Sequence, residues 1–225
     1  MKINKRHERY FRKTENLKNI GITMLAIGGV IFFVGRGVVL YFNLVGVLPL
    51  GFVIFLMGTV GRSTDMEINS VIKIKTDGME IDLQNNERVA KSLIRAIEPL
   101  TVLGYEYRDG LPIKKAKNNE LRTPEYCQAI LYPLADCLYV VRVRIDLLTE
   151  REQKDVLEIP YERITNLFLN TETVDVSMGK KIYAIKASHL TIETEDGEGL
   201  RFPMRESALI DNFVNDVMRH MDGKI

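Results

Sequence analysis

The sequence predicts an α+β protein in two parts: a two-helix transmembrane hairpin, then a cytoplasmic antiparallel sheet or open barrel with a C-terminal helix. Three observations carry this reading. Between Ile20 and Gly61 the only full charge is Arg36. From Tyr126 onward, short apolar–polar alternations recur between turn residues, as half-buried strands require. The charge is also split: residues 1–65 hold nine Lys or Arg against three acids, a net of +6, and residues 66–225 hold 22 against 27, a net of −5. The two parts live in different surroundings. An apolar content of 46% excludes a mostly disordered chain, and two cysteines exclude a disulfide scaffold.

Ile20 to Gly35 is an apolar run of sixteen residues and Val45 to Gly61 one of seventeen. A helix crossing a hydrocarbon core needs about 20 residues, and each run reaches this from its flanks, Leu17–Asn19 for the first and Tyr41–Leu44 for the second. Neither run places polar residues at helical spacing, as one face of a soluble hairpin would. No small-x-small cleavage site closes the first run. Residues 19–62 therefore read as a transmembrane hairpin behind a basic arm, residues 1–18. Gly21, Gly28 and Gly35 fall seven apart, as do Gly51 and Gly58, which gives each span a small-residue stripe. In lipid, close backbone approach replaces the hydrophobic drive for helix association. The stripes are expected to pack the hairpin, or to form a seam for a homo-oligomer. With no acid or histidine in either span, the hairpin reads as an anchor in the bilayer.

Orientation follows from the bases. Seven lie before the first span, from Lys2 to Lys18, and only Arg36 lies between the spans. The positive-inside rule then places both termini in the cytoplasm of a multi-pass inner-membrane protein, with the loop from Arg36 to Asn43 outside. The same arm, with Tyr10 and Phe11, also suits anionic headgroups.

After Arg62 the period changes. Ile68–Lys75 alternates apolar and polar residues and reads as a strand, with Asp77-Gly78 as a hairpin turn and Met79–Leu83 as its partner. From Asn86, the spacing of Val89, Leu93, Ile97 and Leu100 predicts a helix that Pro99 ends or bends. Residues 104–126 read as a long loop. Strands are expected at Tyr126–Tyr132, Leu138–Leu147, Val156–Ile159, Ile164–Leu169, Val174–Val176, Ile182–Ala187, Leu190–Thr194 and Leu200–Met204. An amphipathic helix, Glu206–Met221, closes the series with Ile210, Phe213, Val214, Val217 and Met221 on one face.

The run Ile159-Pro160-Tyr161-Glu162-Arg163-Ile164, then Leu190 to Gly197, Phe202 and the terminal helix resembles the bacterial pleckstrin-homology-like domains of PH and GRAM type, here preceded by a two-helix hairpin. The resemblance covers residues 126–221 and implies a domain, residues 126–225, that binds lipid headgroups, peptides or partner proteins and is not an enzyme. Residues 66–125 precede the pattern, as an insertion, an extension of the sheet or a separate subdomain.

Catalytic signatures are missing from the sequence: it has no GxxxxGK[ST], no GxGxxG after a strand, no GxSxG and no HExxH. No cofactor or metal is expected. His7, His189 and His220 lie far apart, with His189 expected in a turn. Cys127 and Cys137 flank a turn, as core thiols or as a pair facing across a hairpin. Two basic clusters are candidate contacts for anionic lipid or a partner: Lys114, Lys115, Lys117 and Arg122 in the long loop, and Lys180-Lys181 in a turn. Solvated loops account for them more simply, since a net charge of −5 disfavours anionic surfaces. Nucleic acid is excluded as a partner for want of a basic face with interleaved aromatics. The expectation is a non-enzymatic protein that docks partner proteins at the inner leaflet. Anionic-lipid recognition and an oligomeric pore or transport assembly are the alternatives.

Overall fold

A computed structural model describes residues 3–11, 15–59, 62–81, 86–178, 181–197, 199–204 and 208–223. The chain is mixed α+β and divides into two compact units, Ile3–Thr64 and Asp65–Ile225.

In the first unit, α1 (Lys5–Phe11) precedes α2 (Glu15–Val34), and α3 (Val38–Phe42), a wide π turn (Asn43–Val47) and α4 (Leu48–Thr59) run on as one helical stretch. Two segments are long and apolar enough to cross a membrane: Leu17–Val34, of mean hydropathy 1.9, and Val38–Thr59, of mean hydropathy 2.3. The expected loop from Arg36 to Asn43 is corrected. The reversal occupies only Gly35–Gly37, where Gly37 takes φ +60°, and Asn43 lies inside the helix. The wide turn has a local cause. Pro49 has no N–H to give the carbonyl of Val45, and its ring crowds that carbonyl. One extra residue per turn relieves the crowding, with the Leu48 N–H donating to Asn43 O.

The second unit opens with α5 (Asp65–Thr76), where a strand was expected. The alternation INSVIKIK also satisfies the helical period: Ile68 is buried and Val71, Ile72 and Lys75 are half-buried, while Ile74 is exposed. Asp65 and Glu67 in the first turn and Lys73 and Lys75 in the last complement the helix dipole. Gly78, at φ +71°, follows the helix end and does not turn a hairpin. The partner strand is likewise absent at Met79–Ile81, and residues 82–83 lie outside the described residues. The short α6 (Glu87–Ser92) is capped by Asn86, whose Oδ1 accepts from the Val89 N–H at 3.2 Å. It ends well before Pro99, because Leu93 turns extended and bridges to Leu134.

Among the described residues nine strands follow: β1 (Leu100–Tyr105), β2 (Lys114–Lys115), β3 (Leu121–Arg122), β4 (Glu125–Pro133), β5 (Cys137–Asp146), β6 (Arg151–Pro160), β7 (Ile164–Met178), β8 (Lys181–Thr194) and β9 (Gly199–Met204), then α7 (Ala208–Met221). All pairing is antiparallel, in sheets ordered β1-β4-β5-β6, β7-β8-β9 and β2-β3. Residues 66–125 thus extend the main sheet through β1, and their long loop carries the β2–β3 hairpin. Four expected strands between Ile164 and Thr194 merge into two. The polar positions Asn170–Thr173 and Ser188-His189 stay in register, and β9 pairs only with Ser188–Glu193. Beyond Thr171 and Ser188, the β7–β8 pair runs on as a two-stranded ribbon.

The core forms where α7 lays Ile210, Phe213 and Val217 against Leu131, Val140, Leu190 and Phe202. Burying Phe202 contributes about 1.5–3 kcal/mol. At Gly104, β1 runs against β9: a Cβ there would stand 3.0 Å from Met204 N and Pro203 C, so any side chain would have to push the β9 backbone back by a few tenths of an ångström.

Candidate binding surfaces

The glycines of the apolar hairpin sit at its helix contact. A Cβ on Gly21 would fall 2.5 Å from Phe55 N, on Gly28 2.5 Å from Leu48 Cδ2, on Gly51 2.9 Å from Met24 Cβ and on Gly58 2.6 Å from Lys18 N. Gly35 differs, meeting only its own helix at Ile31. Between the helices the buried Asn43 donates from Nδ2 to Gly28 O at 2.7 Å, while its Oδ1 has no hydrogen-bond partner among the described residues. The large apolar residues point the other way: Phe33 is 87% exposed and Val34 76%.

The basic loop divides. Lys114 and Lys115 form β2, opposite Arg122 and Leu121. Lys115 and Lys117 are exposed, and the Lys117 N–H donates to Asp65 Oδ2 at 2.9 Å. Arg122 is not a surface contact. Its side chain is buried, paired with Glu120 at 3.0 Å, set 5.9 Å above the Tyr105 ring and donating to Asp65 O at 3.4 Å. It ties the β2–β3 hairpin to the start of α5. Lys181 opens β8 opposite Met178, and Lys180 lies outside the described residues.

His189 is corrected from turn to strand. It sits buried in β8, opposite Asn170 and Pro203, with Nδ1 3.8 Å from Glu172 and Nε2 3.9 Å from Glu106. Burial lowers its pKa against the pull of Glu172, which favours the neutral ring, and Nδ1 has no hydrogen-bond partner among the described residues. Burial also raises the pKa of Glu106, helped by Glu125. Asp155 in β6 receives Arg142 at 2.9 Å and Arg144 at 3.1 Å. Burial pushes its carboxyl up, but hydrogen bonds from Arg142 and Gln153 outweigh this and hold it below the usual range.

The cysteines do not face each other: Cys127 pairs with Arg144 and Cys137 with Pro160. Both are buried free thiols, pushed up by burial to about 12 and about 11. That makes them poor nucleophiles. Among the described residues no three His, Cys, Asp or Glu side chains group as metal ligands.

The feature that the sequence reading missed is a groove of about 660 Å³ between β1 and α7. Leu100, Val102, Met204, Ile210 and Phe213 line it, with Glu98 and Asp216 among the bordering residues. β1 was read as the end of a helix and the start of a loop. The signal that locates it is the alternation Leu100, Val102, Gly104 directly after Pro99. The chain matches no protein-family model, no curated protein and no solved structure.

Proposed function

We propose that this chain is a membrane-anchored docking protein, in which α2 and the α3–α4 stretch cross the inner membrane and a pleckstrin-homology-like cytoplasmic domain holds partner proteins at the inner leaflet. The observation that carries the anchor is the inside-out burial of the two apolar segments. Only 11% of each is buried, and what is buried is largely glycine, whereas the core helix of a soluble protein buries its large side chains. The strand order, the uniformly antiparallel pairing and the terminal helix packed on the core support the domain reading.

Topology is the decisive test. A reporter active only outside the cytoplasm should stay silent when fused after Ile225 and become active when inserted at Gly37, the centre of the short reversal. The opposite pattern would move the domain to the other side and remove the inner-leaflet reading. Anionic-lipid recognition is a second reading, favoured by the exposed Lys115 and Lys117 on one hairpin. Reversing both charges should then weaken sedimentation with anionic vesicles while leaving neutral vesicles unaffected.

A further inference from the structure

The main sheet has two edges, and they are built differently. β6 carries Arg151, Glu152, Lys154, Asp155 and Glu158 along its length. Charges of this kind keep an open edge from pairing with another chain. β1, at the other edge, reads Leu-Thr-Val-Leu-Gly-Tyr and has no charge. Among the described residues it is hydrogen-bonded on one side only, to β4. Alternate backbone N–H and C=O groups of an antiparallel edge point away from its partner. The far half of β1 closes on β9 at Gly104, so Leu100–Leu103 is the half that opens into the groove beside α7.

We propose that this groove takes an extended segment of a partner protein, which adds as a strand to Leu100–Leu103, seats alternate apolar side chains against α7 and carries Lys or Arg at its ends. This rests on the docking reading and names its site. Strand addition supplies affinity through the main chain and specificity through alternate pockets. Here Met204, Ile210 and Phe213 provide the apolar floor. Glu98 is exposed and Asp216 is 40% exposed, which sets the charge of the ends. Arg219 lies 4.0 Å from Asp216 and leaves it only loosely paired. Four residues of strand span about 13 Å, so one short segment covers the open half. A second copy is a poorer occupant, because edge-to-edge pairing brings two acidic borders together.

The test uses the full chain in nanodiscs and two blocked synthetic peptides: Lys-Val-Thr-Val-Thr-Val-Lys, and the same peptide with both lysines replaced by glutamate. Amide hydrogen exchange at Leu100–Leu103 should slow with the lysine peptide, while Arg151–Pro160 stays unchanged. The glutamate peptide should bind about fivefold more weakly, as two exposed charge pairs allow. The double variant Glu98→Lys, Asp216→Lys should reverse that preference. N-methylation of alternate peptide residues, in the frame that faces β1, should abolish protection. The proposal is overturned if neither peptide slows exchange at Leu100–Leu103, or if the double variant keeps the wild-type preference. It is equally overturned if the outward-facing amides of Leu100–Leu103, those not bonded to β4, are protected before any peptide is added, which would indicate a second copy or lipid in the groove. A partner that cross-links equally to wild type and double variant would discard the groove and leave the docking reading standing.

Discussion

The apolar hairpin and the β-domain bury opposite kinds of residue. Among the described residues of α2 and α4 the buried positions are Gly21, Gly28, Gly51 and Gly58, while Phe33, Val34 and Met57 are exposed. In the domain Phe202, Leu131, Leu190 and Ile192 are buried, whereas most charged side chains of the described residues, Arg122 apart, are not. On the proposed membrane reading, one chain follows two solvent rules. Where large apolar groups gain nothing by meeting each other, helices are held by backbone proximity. Where water is the alternative, side-chain volume does the holding.

The sharpest way to break this contrast is to put volume where the hairpin has none. Gly21→Leu should separate α2 from α4, because its Cβ meets the Phe55 backbone, which has no rotamer to give. Gly29→Leu, with nothing within 4 Å, should be silent. Disulfide trapping between cysteines placed on the two helices reads both. Next in size, Phe202→Ala should cost the domain about 3–5 kcal/mol and leave the helix pairing intact. The chain has no tryptophan, but its two buried cysteines make thiol labelling against denaturant a direct measure of this loss.

On the proposed membrane reading, Asn43→Leu should weaken the hairpin by about 0.6–1.7 kcal/mol, the range of a hydrogen bond between helices in lipid, because it removes the donor to Gly28 O. The smallest effect concerns pH. His189 has a folded pKa below its ordinary 6.5, so between those values the unfolded chain binds more protons and stability rises with pH. The gain is complete above 6.5 and is lost as pH falls through the folded value. His189→Gln should flatten that part of the profile, as read by thiol labelling from pH 5 upward. An unchanged slope would place the titration elsewhere.

The two apolar helical segments could be read from run length and composition, and strands β4 and β5 and the terminal helix from periodicity, because each has one dominant pattern over many residues. α5 could not, since Ile68 and Ile72 fit both a two-residue and a four-residue repeat, and of the end charges that favour a helix, Asp65 and Glu67 lie before the alternating run while Lys73 and Lys75 read equally well as its polar positions. β7 and β8 were broken at polar residues because Asn170 and His189 look like loop residues until a partner strand holds their backbone. The groove escaped for the same reason. Nothing local marks Leu100–Leu103 as an edge, a property conferred by β4 some 25 residues later. Arg122 was read as a surface base because a guanidinium is usually exposed, and its burial depends on Tyr105, Glu120 and Asp65 meeting around it.

The closure at Gly104 also sets a timetable. Its neighbour, Met204, is 100 residues further along the chain, the kind of distant contact that slows folding. At about 5–20 residues per second of synthesis, roughly 5–20 s separate the emergence of the two. β4, β5 and β6 can pair as successive hairpins in that interval, but β1 has nothing to close against until the last strand is made. On a chain whose first helices are already candidates for the bilayer, the uncharged edge of β1 is then the surface that a nascent domain shows to its neighbours for longest.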